Sequence, residues 1–191
     1  VIEALQDSSR IANIVVVGPL EIKEVLVPNV HLVEAGESLT DNVFRSIEVL
    51  EKKNKVLFVT SDIPFVSAEA IDDFVDRCAE LSGDIFYPII SREANQQVYP
   101  EAVRTYFPLK EGAFTGGNII LASPQAVANS RWAMEQVFFR RKKPWKVIRM
   151  LGFVFICKFF AKQLTLRQLE QRASDLELAL KTIAVTQGKE A

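Results

Sequence analysis

Residues 55–66 read Lys55-Val56-Leu57-Phe58-Val59-Thr60-Ser61-Asp62-Ile63-Pro64-Phe65-Val66, and this stretch decides the fold. Its apolar run, 56–59, is rich in β-branched and aromatic residues, which predicts a strand buried on both faces. Pro64 prevents a central strand from continuing. Ser67 then begins a helix whose apolar residues recur at helical spacing, namely Ile71, Phe74, Val75, Cys78 and Leu81. We therefore expect Asp62 just past the carboxyl end of a central strand, where ligands bind in open α/β sheets.

Other apolar runs predict the remaining strands of the core. They lie at 13–17, 30–33, 84–90 and 118–121, with the deciding strand at 56–60 and an added strand near 104–109. Pro88 indicates that the 84–90 strand is an edge or contains a bulge. Helical patterns alternate with the strands through residue 90, which favours right-handed βαβ units. The sequence thus predicts the α/β class, with one mostly parallel sheet and helices on both faces.

The chain has 191 residues, 49% hydrophobic and 25% charged, as is typical of one globular domain. We predict a single domain spanning 1–191, with an α/β core over 1–124 and a helical C-terminal part over 125–191. The helical part is expected to be largely helical through 181. The chain begins without Met in an apparent helix, so we expect that a segment preceding Val1 is missing.

Net charge and cysteine spacing do not support a nucleic-acid-binding protein or a cysteine-based metal site. A net charge of −1 gives no global argument for a nucleic-acid partner, and none is expected. Cys78 and Cys157 lie in apolar patterns and are interpreted as core thiols, since no metal-ligand spacing accompanies them. His31 lies in an apolar strand pattern and is interpreted as structural. No signal peptide is found, and the expected location is the cytoplasm.

Two further motifs are compatible with either a structural or a ligand-binding role. Thr115-Gly116-Gly117-Asn118 precedes a strand; paired glycines permit close approach of a ligand, but they serve a simple tight turn equally well.

The acid at the strand end also has an alternative interpretation. Asp62 itself could equally be a turn residue that bonds its own backbone.

The loop 36–42 is the second such motif. Ser38, Thr40 and Asp41 are suitable helix-capping residues. Capping is compatible with binding, because helix N-termini attract anions and polar ligand groups. Asn42 is the residue that we single out here as a ligand contact.

These motifs together resemble the MobA-like nucleotidyltransferases, over roughly residues 1–122 and best over 36–66 and 104–121. The resemblance implies a Rossmann-like sheet of the GT-A nucleotidyltransferase type. It implies that Asp62 binds the Mg²⁺ that accompanies the nucleotide, and that Thr60 and Ser61 shape its approach. It further implies that Ser38 and Asn42 border the nucleotide, and that Thr115, Gly116, Gly117 and Asn118 face the acceptor.

The implied enzyme is a magnesium-dependent nucleotidyltransferase of the EC 2.7.7 type. An NTP would donate a nucleotidyl group to a phosphorylated small molecule, a sugar phosphate or cofactor precursor, with release of pyrophosphate. Asp62, Asn42 and 116–118 should then line one cleft. The family's glycine-rich phosphate loop, with its Arg and Lys, is absent from this sequence, and Asp175 is a poor second metal ligand on a solvated helix face. The chain is therefore expected to hold only part of an active site.

Three other functions compete with this interpretation. A glycosyltransferase of similar fold would show an Asp-x-Asp at the strand end, and an aspartyl phosphatase would show two spaced acids; Ser61-Asp62-Ile63-Pro64 has neither. A non-catalytic binding or assembly module would use the basic and aromatic region 140–162. That region could contact an anionic membrane surface or an acidic partner. We favour a core-packing helix there, with Phe153 and Phe155 mostly buried in the chain or in an oligomer interface.

Overall fold

The computed structural model describes residues 1–50, 54–131, 134–135, 153–175 and 180–185. Its helices are α1 (Ile2–Asp7), α2 (Leu39–Glu48), α3 (Ala68–Ala79), α4 (Arg92–Val98), α5 (Pro124–Asn129), α6 (Phe153–Phe160) and α7 (Leu166–Asp175). Its strands are β1 (Ile14–Gly18), β2 (Val30–Glu34), β3 (Val56–Val59), β4 (Ile85–Ser91), β5 (Phe107–Leu109), β6 (Gly112–Gly116), β7 (Ile119–Ala122) and β8 (Leu180–Val185). A 3₁₀ helix, Leu20–Val25, joins β1 to β2.

The strands form two sheets. The smaller sheet is the parallel pair β1–β2. The larger sheet has the order β3-β7-β4-β6-β5, and β8 pairs with β4 in parallel. The α/β class and the predicted strands are confirmed. The prediction of one mostly parallel sheet is wrong, because β7 is antiparallel to both β3 and β4, and β6 is antiparallel to β4 and β5.

A hairpin explains this correction. Strands β5 and β6 pair antiparallel around Lys110 and Glu111, with Leu109 opposite Gly112. A two-residue loop of this kind reverses the chain, so the strand that follows it runs against β4. Apolar runs at 104–109 and 118–121 do not reveal this reversal, because a run of apolar residues carries no information on strand direction.

Strand β6 continues into β7 through a bulge opposite Pro88. Gly116 pairs with Ile89 and Leu121 pairs with Phe86, so residues 117–120 lie opposite only Tyr87 and Pro88. Extra residues on one strand of an antiparallel pair bend that strand and redirect its side chains. The prediction that the 84–90 strand is an edge or contains a bulge is therefore corrected: β4 is an interior strand, and the extra residues lie on its partner segment β6–β7.

Serines begin four of the helices. The hydroxyl oxygens of Ser38, Ser67, Ser91 and Ser123 each accept a hydrogen bond from the backbone N–H three residues further on. Each bond satisfies a donor that the helix itself leaves unpaired. The capping interpretation of Ser38 and Ser67 is confirmed.

Helices cover both faces of the larger sheet, as predicted. On one face the buried core comprises Ile63, Phe74, Cys78, Phe86, Ile119 and Leu121. On the other, Ile47 of α2 and Val127 of α5 pack with Ala122 of β7. The opposite side-chain directions of neighbouring strand residues place Leu57 and Val59 on the first face and Phe58 on the second.

The C-terminal part is helical over α5, α6 and α7, and its last described element is strand β8. The prediction of a helix face that reaches Leu180 is therefore wrong. β8 pairs with β4 from Ile85↔Leu180 to Ile90↔Val185. Its β-branched residues Thr182, Ile183 and Val185 favour a strand, and β4 offers it unpaired backbone groups. Spacing of apolar residues alone had extended the helix too far.

Several predictions concern residues that the structure describes only in part. The basic stretch 140–149 and the side chain of Phe153 lie outside the described residues. Phe155 is half-buried, whereas Cys157 is exposed, which corrects its interpretation as a core thiol. His31 is exposed on β2. None of the described helices has the length and apolar character needed to span a bilayer.

Candidate functional site

Asp62 lies exposed in the turn that follows β3, as predicted. The central position predicted for this strand is wrong among the described strands, because β3 lies at the edge of the larger sheet and pairs there only with β7. The hydroxyl of Thr60 donates a hydrogen bond to the Asp62 carboxylate. The same hydroxyl oxygen lies 3.3 Å from the carbonyl oxygen of Asn118, which also accepts the backbone N–H of Thr60 over 3.2 Å. Thr60 therefore brings together two motifs that are more than fifty residues apart in sequence.

Asn118 is held in the left-handed backbone region, with φ of 55°. Asn is one of the few residues that adopts this conformation readily. The conformation lies within the β6–β7 bulge and turns the Asn118 carbonyl toward Thr60. The bulge thus places the half-buried Asn118 beside the turn that carries Asp62, at the end of β3.

The paired glycines of the same motif have a packing reason. A Cβ atom on Gly116 would lie 1.8 Å from the Tyr87 hydroxyl oxygen, and one on Gly117 would lie 2.9 Å from Cγ of Pro88. Both neighbours belong to β4. Burial around this contact raises the pKa of Tyr87 above its usual value. The glycines are needed so that β4 side chains can lie against the bulge.

Thr115 and Ser61 differ in their exposure to solvent. Thr115 is buried, with 8% of its surface exposed, and its backbone pairs with Ile90 in the β4–β6 ladder. Ser61 is exposed beside Asp62. Among the residues predicted to face the acceptor, Asn118 is the one that the described hydrogen bonds connect to Asp62 through Thr60.

The loop 36–42 forms a compact turn of its own. The side-chain oxygen of Asn42 accepts the backbone N–H of Gly36 over 2.7 Å, and Ser38 accepts the N–H of Asp41 over 3.1 Å. The N–H of Ala35 donates to the carbonyl of Gly18 at the end of β1. Within the described residues, no hydrogen bond joins this loop to Asp62. The structure shows Asn42 as a loop-closing residue.

An aromatic pair near Asp62 was not anticipated from the sequence. Phe65 is 74% exposed, and its ring stacks with that of Tyr99 at a centroid distance of 6.4 Å. An exposed phenylalanine three residues after the candidate acid is the available sequence signal. The two rings connect the turn after β3 to the end of α4.

A small cavity of about 30 Å³, partly open to solvent, lies between α3 and the sheet. It shares Ile63 with the turn after β3 and Gly117 with the bulge, and the ion pair Asp73–Arg77, 2.9 Å long, borders it. Its walls are otherwise mostly apolar, formed by Val66, Ala70, Phe74, Pro88, Ile90 and Ile119. A cavity of this size is too small to hold a substrate.

The donor set around Asp62 limits what metal it could hold. In the described part of the chain, no three His, Cys, Asp or Glu side chains gather as a metal cluster. Mg²⁺ is commonly bound through one or two carboxylates together with substrate phosphates. A lone exposed carboxylate fits a metal that arrives with its nucleotide, and does not fit a metal held by protein ligands alone.

Comparison with solved structures identifies proteins of the same fold. The chain matches a hypothetical transferase from Thermus thermophilus with 26% identity and a TM-score of 0.88, over 100% of this chain and 79% of that one. It matches 4-diphosphocytidyl-2C-methyl-D-erythritol synthase from Anaerococcus prevotii with 10% identity and a TM-score of 0.59, over 98% of this chain and 76% of that one. The chain has the fold of the nucleotidyltransferases.

A third solved structure agrees with this assignment. CMP:2-keto-3-deoxy-manno-octonic acid synthetase, complexed with CTP, has a TM-score of 0.57 at 13% identity, over 96% of this chain and 76% of that one. No protein-family model and no curated protein matches the chain. The fold that the sequence resemblance implies is thus confirmed, whereas membership of the nucleotidyltransferases and of their MobA-like branch stays a prediction.

Proposed function

We propose that this protein is a MobA-like nucleotidyltransferase. It transfers a nucleotidyl group from an NTP to a phosphorylated small-molecule acceptor, a sugar phosphate or cofactor precursor, and releases pyrophosphate. The observation that carries the proposal is the contact of Thr60 with both Asp62 and Asn118, at the end of β3 in a nucleotidyltransferase fold. This contact puts the exposed Asp62 carboxylate next to the half-buried Asn118 of the bulge.

Asp62 is the residue proposed to hold Mg²⁺. A bound Mg²⁺ would neutralise charge on the phosphate oxygens during transfer. The Asp62 carboxylate is exposed and needs no rearrangement of the core to accept a ligand. The Thr60 hydroxyl fixes the carboxylate by donating to it. Asp62 thereby positions the metal-bound phosphates, and Ser61 borders their approach.

The other predicted residues are proposed to border the two substrates. Ser38 and Asn42 would lie beside the nucleotide, with the compact 36–42 loop as a preformed edge. Gly116, Gly117 and Asn118 would face the acceptor, with Thr115 supporting them from within β6. CTP is the first nucleotide to test, because one structural neighbour is complexed with CTP and another is named for a diphosphocytidyl product.

The test is pyrophosphate release by the natural full-length protein. Each NTP, beginning with CTP, is supplied with Mg²⁺ and a panel of sugar phosphates and phosphorylated cofactor precursors, and mass spectrometry identifies the adduct. We expect Asp62→Asn to remove most metal-dependent turnover, because a neutral amide is a poor substitute for a carboxylate on Mg²⁺. Asp7→Asn, an acid on α1, is the matched control and should leave turnover unchanged.

Two outcomes would overturn the proposal. The first is full turnover in Asp62→Asn, which would remove the metal role of that residue. The second is robust turnover by the 191-residue chain alone, which would show that the catalytic groups lie elsewhere than proposed. We expect that chain to be nearly inactive, because the glycine-rich loop with Arg and Lys, which the family resemblance implies for binding phosphate, is absent from its sequence.

A further inference from the structure

Two arginines, Arg92 and Arg104, have no acidic partner in the described part of the chain. The ion pairs found there involve other arginines, and no hydrogen bond between described residues uses either guanidinium group. Arg92 is exposed at the start of α4, and Arg104 is half-buried in the segment before β5. A guanidinium group carries five N–H donors and stays charged at every physiological pH. The donors of both arginines are therefore available to an anionic ligand.

Tyr106 brings the two arginines to one surface. The guanidinium carbon of Arg92 lies 4.6 Å from the centre of the Tyr106 ring, within the range of a cation–π contact. The ring is itself fixed, because the Tyr106 hydroxyl accepts a hydrogen bond of 2.8 Å from the side-chain amide of the buried Asn95. Half-buried and exposed residues alternate from Arg104 to Pro108. This alternation indicates an extended backbone and places Arg104 on the same side of it as Tyr106.

The strand register places Arg92 at the same edge of the sheet as Asp62. β3 and β4 are both antiparallel to β7, so their carboxyl ends point in the same direction. Leu57 of β3 and Phe86 of β4 both pair with Leu121. Asp62 follows the first of these residues by five positions, and Arg92 follows the second by six. Two strands that flank a third are about 10 Å apart, which leaves room for phosphate groups between the two side chains.

We propose that Arg92 and Arg104 form a phosphate-binding site that takes the phosphate group of the acceptor, an assignment that rests on the proposed function. The bulge assigned to the acceptor adjoins this site, because α4 contacts β6 as well as β4. An oxygen of the acceptor phosphate forms the new bond to the α-phosphorus of the NTP. The bond from that phosphorus to pyrophosphate breaks, and its electron pair leaves with the pyrophosphate. Both reactants are anions, so two guanidinium groups with forked donors offset their repulsion.

A titration with inorganic phosphate tests the site without any use of turnover. Phosphate is added to the protein at constant ionic strength, and the side-chain Nε–H signals of Arg92 and Arg104 are followed by NMR. We expect both signals to shift with the same saturable dependence on phosphate. Arg92→Gln and Arg104→Gln should each weaken binding at least about 10-fold, as expected for the loss of a charge-assisted hydrogen bond. Arg167→Gln removes an exposed arginine of α7 and is the matched control, which should bind phosphate like the parent protein.

Two further measurements separate the site from the proposed function. Arg104→Lys keeps the charge and the apolar stem of a half-buried side chain, so it should bind phosphate more tightly than Arg104→Gln. In turnover assays Arg92→Gln should raise the KM for the acceptor at least about 10-fold and leave the KM for the NTP unchanged. A raised KM for the NTP alone would overturn the acceptor assignment.

The phosphate titration decides the site even if no acceptor is turned over. Saturable binding at both arginines without turnover would support the site and contradict the proposed function. Shifts that do not saturate, or an equal loss of binding in Arg167→Gln, would overturn the site itself.

Discussion

The backbone N–H of Thr60 donates to the carbonyl oxygen of Asn118 over 3.2 Å, and this bond joins the turn after β3 to the bulge between β6 and β7. The Thr60 hydroxyl has one proton for two acceptors, the Asn118 carbonyl and the Asp62 carboxylate. The charged acceptor forms the stronger bond, and the backbone N–H already satisfies the carbonyl. The junction therefore does not need the Asp62 charge in order to persist.

Asp62→Asn should accordingly leave the fold intact. The side chain is exposed, and after the substitution the Thr60 hydroxyl can turn to the Asn118 carbonyl. We expect the free energy of unfolding to change by no more than about 0.5 kcal/mol, as is usual for exposed positions. Urea unfolding of the variant and the parent protein measures this change. A loss larger than 2 kcal/mol, on the order of a core substitution, would contradict a purely functional role for Asp62.

Gly116→Ala should destabilise the protein through a clash with Tyr87. The new methyl group would lie 1.8 Å from the Tyr87 hydroxyl oxygen and 2.7 Å from its Cζ, so the ring must move. Forcing extra volume into a packed site costs about 1–3 kcal/mol. Urea unfolding at neutral pH measures the difference in free energy of unfolding.

Two further variants identify the cause of that loss. Tyr87→Phe removes the nearest clashing atom, so the double variant should be more stable than the sum of the two single losses predicts. Gly18→Ala is the matched control, because its Cβ would meet only Cδ1 of Ile22 at 2.9 Å, the movable end of a side chain. Equal losses at Gly116 and Gly18 would show that the Tyr87 contact is not the cause of the loss at Gly116, since the backbone entropy effect of Gly→Ala stabilises.

The sequence predicted local elements well because each depends on nearby residues. The apolar run 56–59, the serine caps and the acid at the strand end all came from patterns within a few positions. Strand direction was different. It depends on the Lys110–Glu111 hairpin and on pairing between residues far apart, such as Phe86 with Leu121. Periodicity does not encode which strand a run will meet, so β7 was wrongly expected to be parallel.

The candidate site likewise has features that the sequence predicted and features that only the structure shows. The acid at 62 and the polar segment at 115–118 were each visible as motifs, but only the bulge opposite Pro88 explains why Asn118 contacts Thr60. The Phe65–Tyr99 pair could not be predicted, because nothing in the sequence near Tyr99 points to residue 65. The central position expected for β3 is also not reached among the described strands.

A pH-dependent contribution to stability should come from Asp72 on α3. Hydrogen bonds from the Ser8 and Ser9 hydroxyls, which tie α1 to α3, lower the pKa of Asp72 below its usual value. In the window between the two pKa values the unfolded chain binds the proton more tightly, so stability rises with pH there. The contribution is complete above about pH 4, where unfolded Asp is ionised, and is lost as pH falls through the lower folded value.

The measurement compares the parent protein with Asp72→Asn by thermal unfolding between pH 3 and pH 6. The parent should be more stable at pH 6, and the difference should shrink as the pH falls below about 4. Asp7→Asn provides an exposed acid on α1 for comparison and should show a smaller dependence on pH. A difference that is constant across the range would rule out the hydrogen bonds to ionised Asp72 as its source.

The two cysteines should differ sharply in reactivity toward thiol reagents. Burial raises the pKa of Cys78 to about 12, whereas Cys157 is exposed on α6. The thiolate is the reactive form, so at pH 8 only about one Cys78 thiol in ten thousand would be ionised, and that one lies in the core. We expect one fast-reacting thiol per folded chain, measured with a chromogenic disulfide.

Two variants identify which thiol reacts. Cys157→Ser should abolish the fast reaction, and Cys78→Ala should retain it. In urea the parent chain should titrate two thiols, and a second fast thiol without urea would contradict the packing of Cys78 between α3 and the sheet.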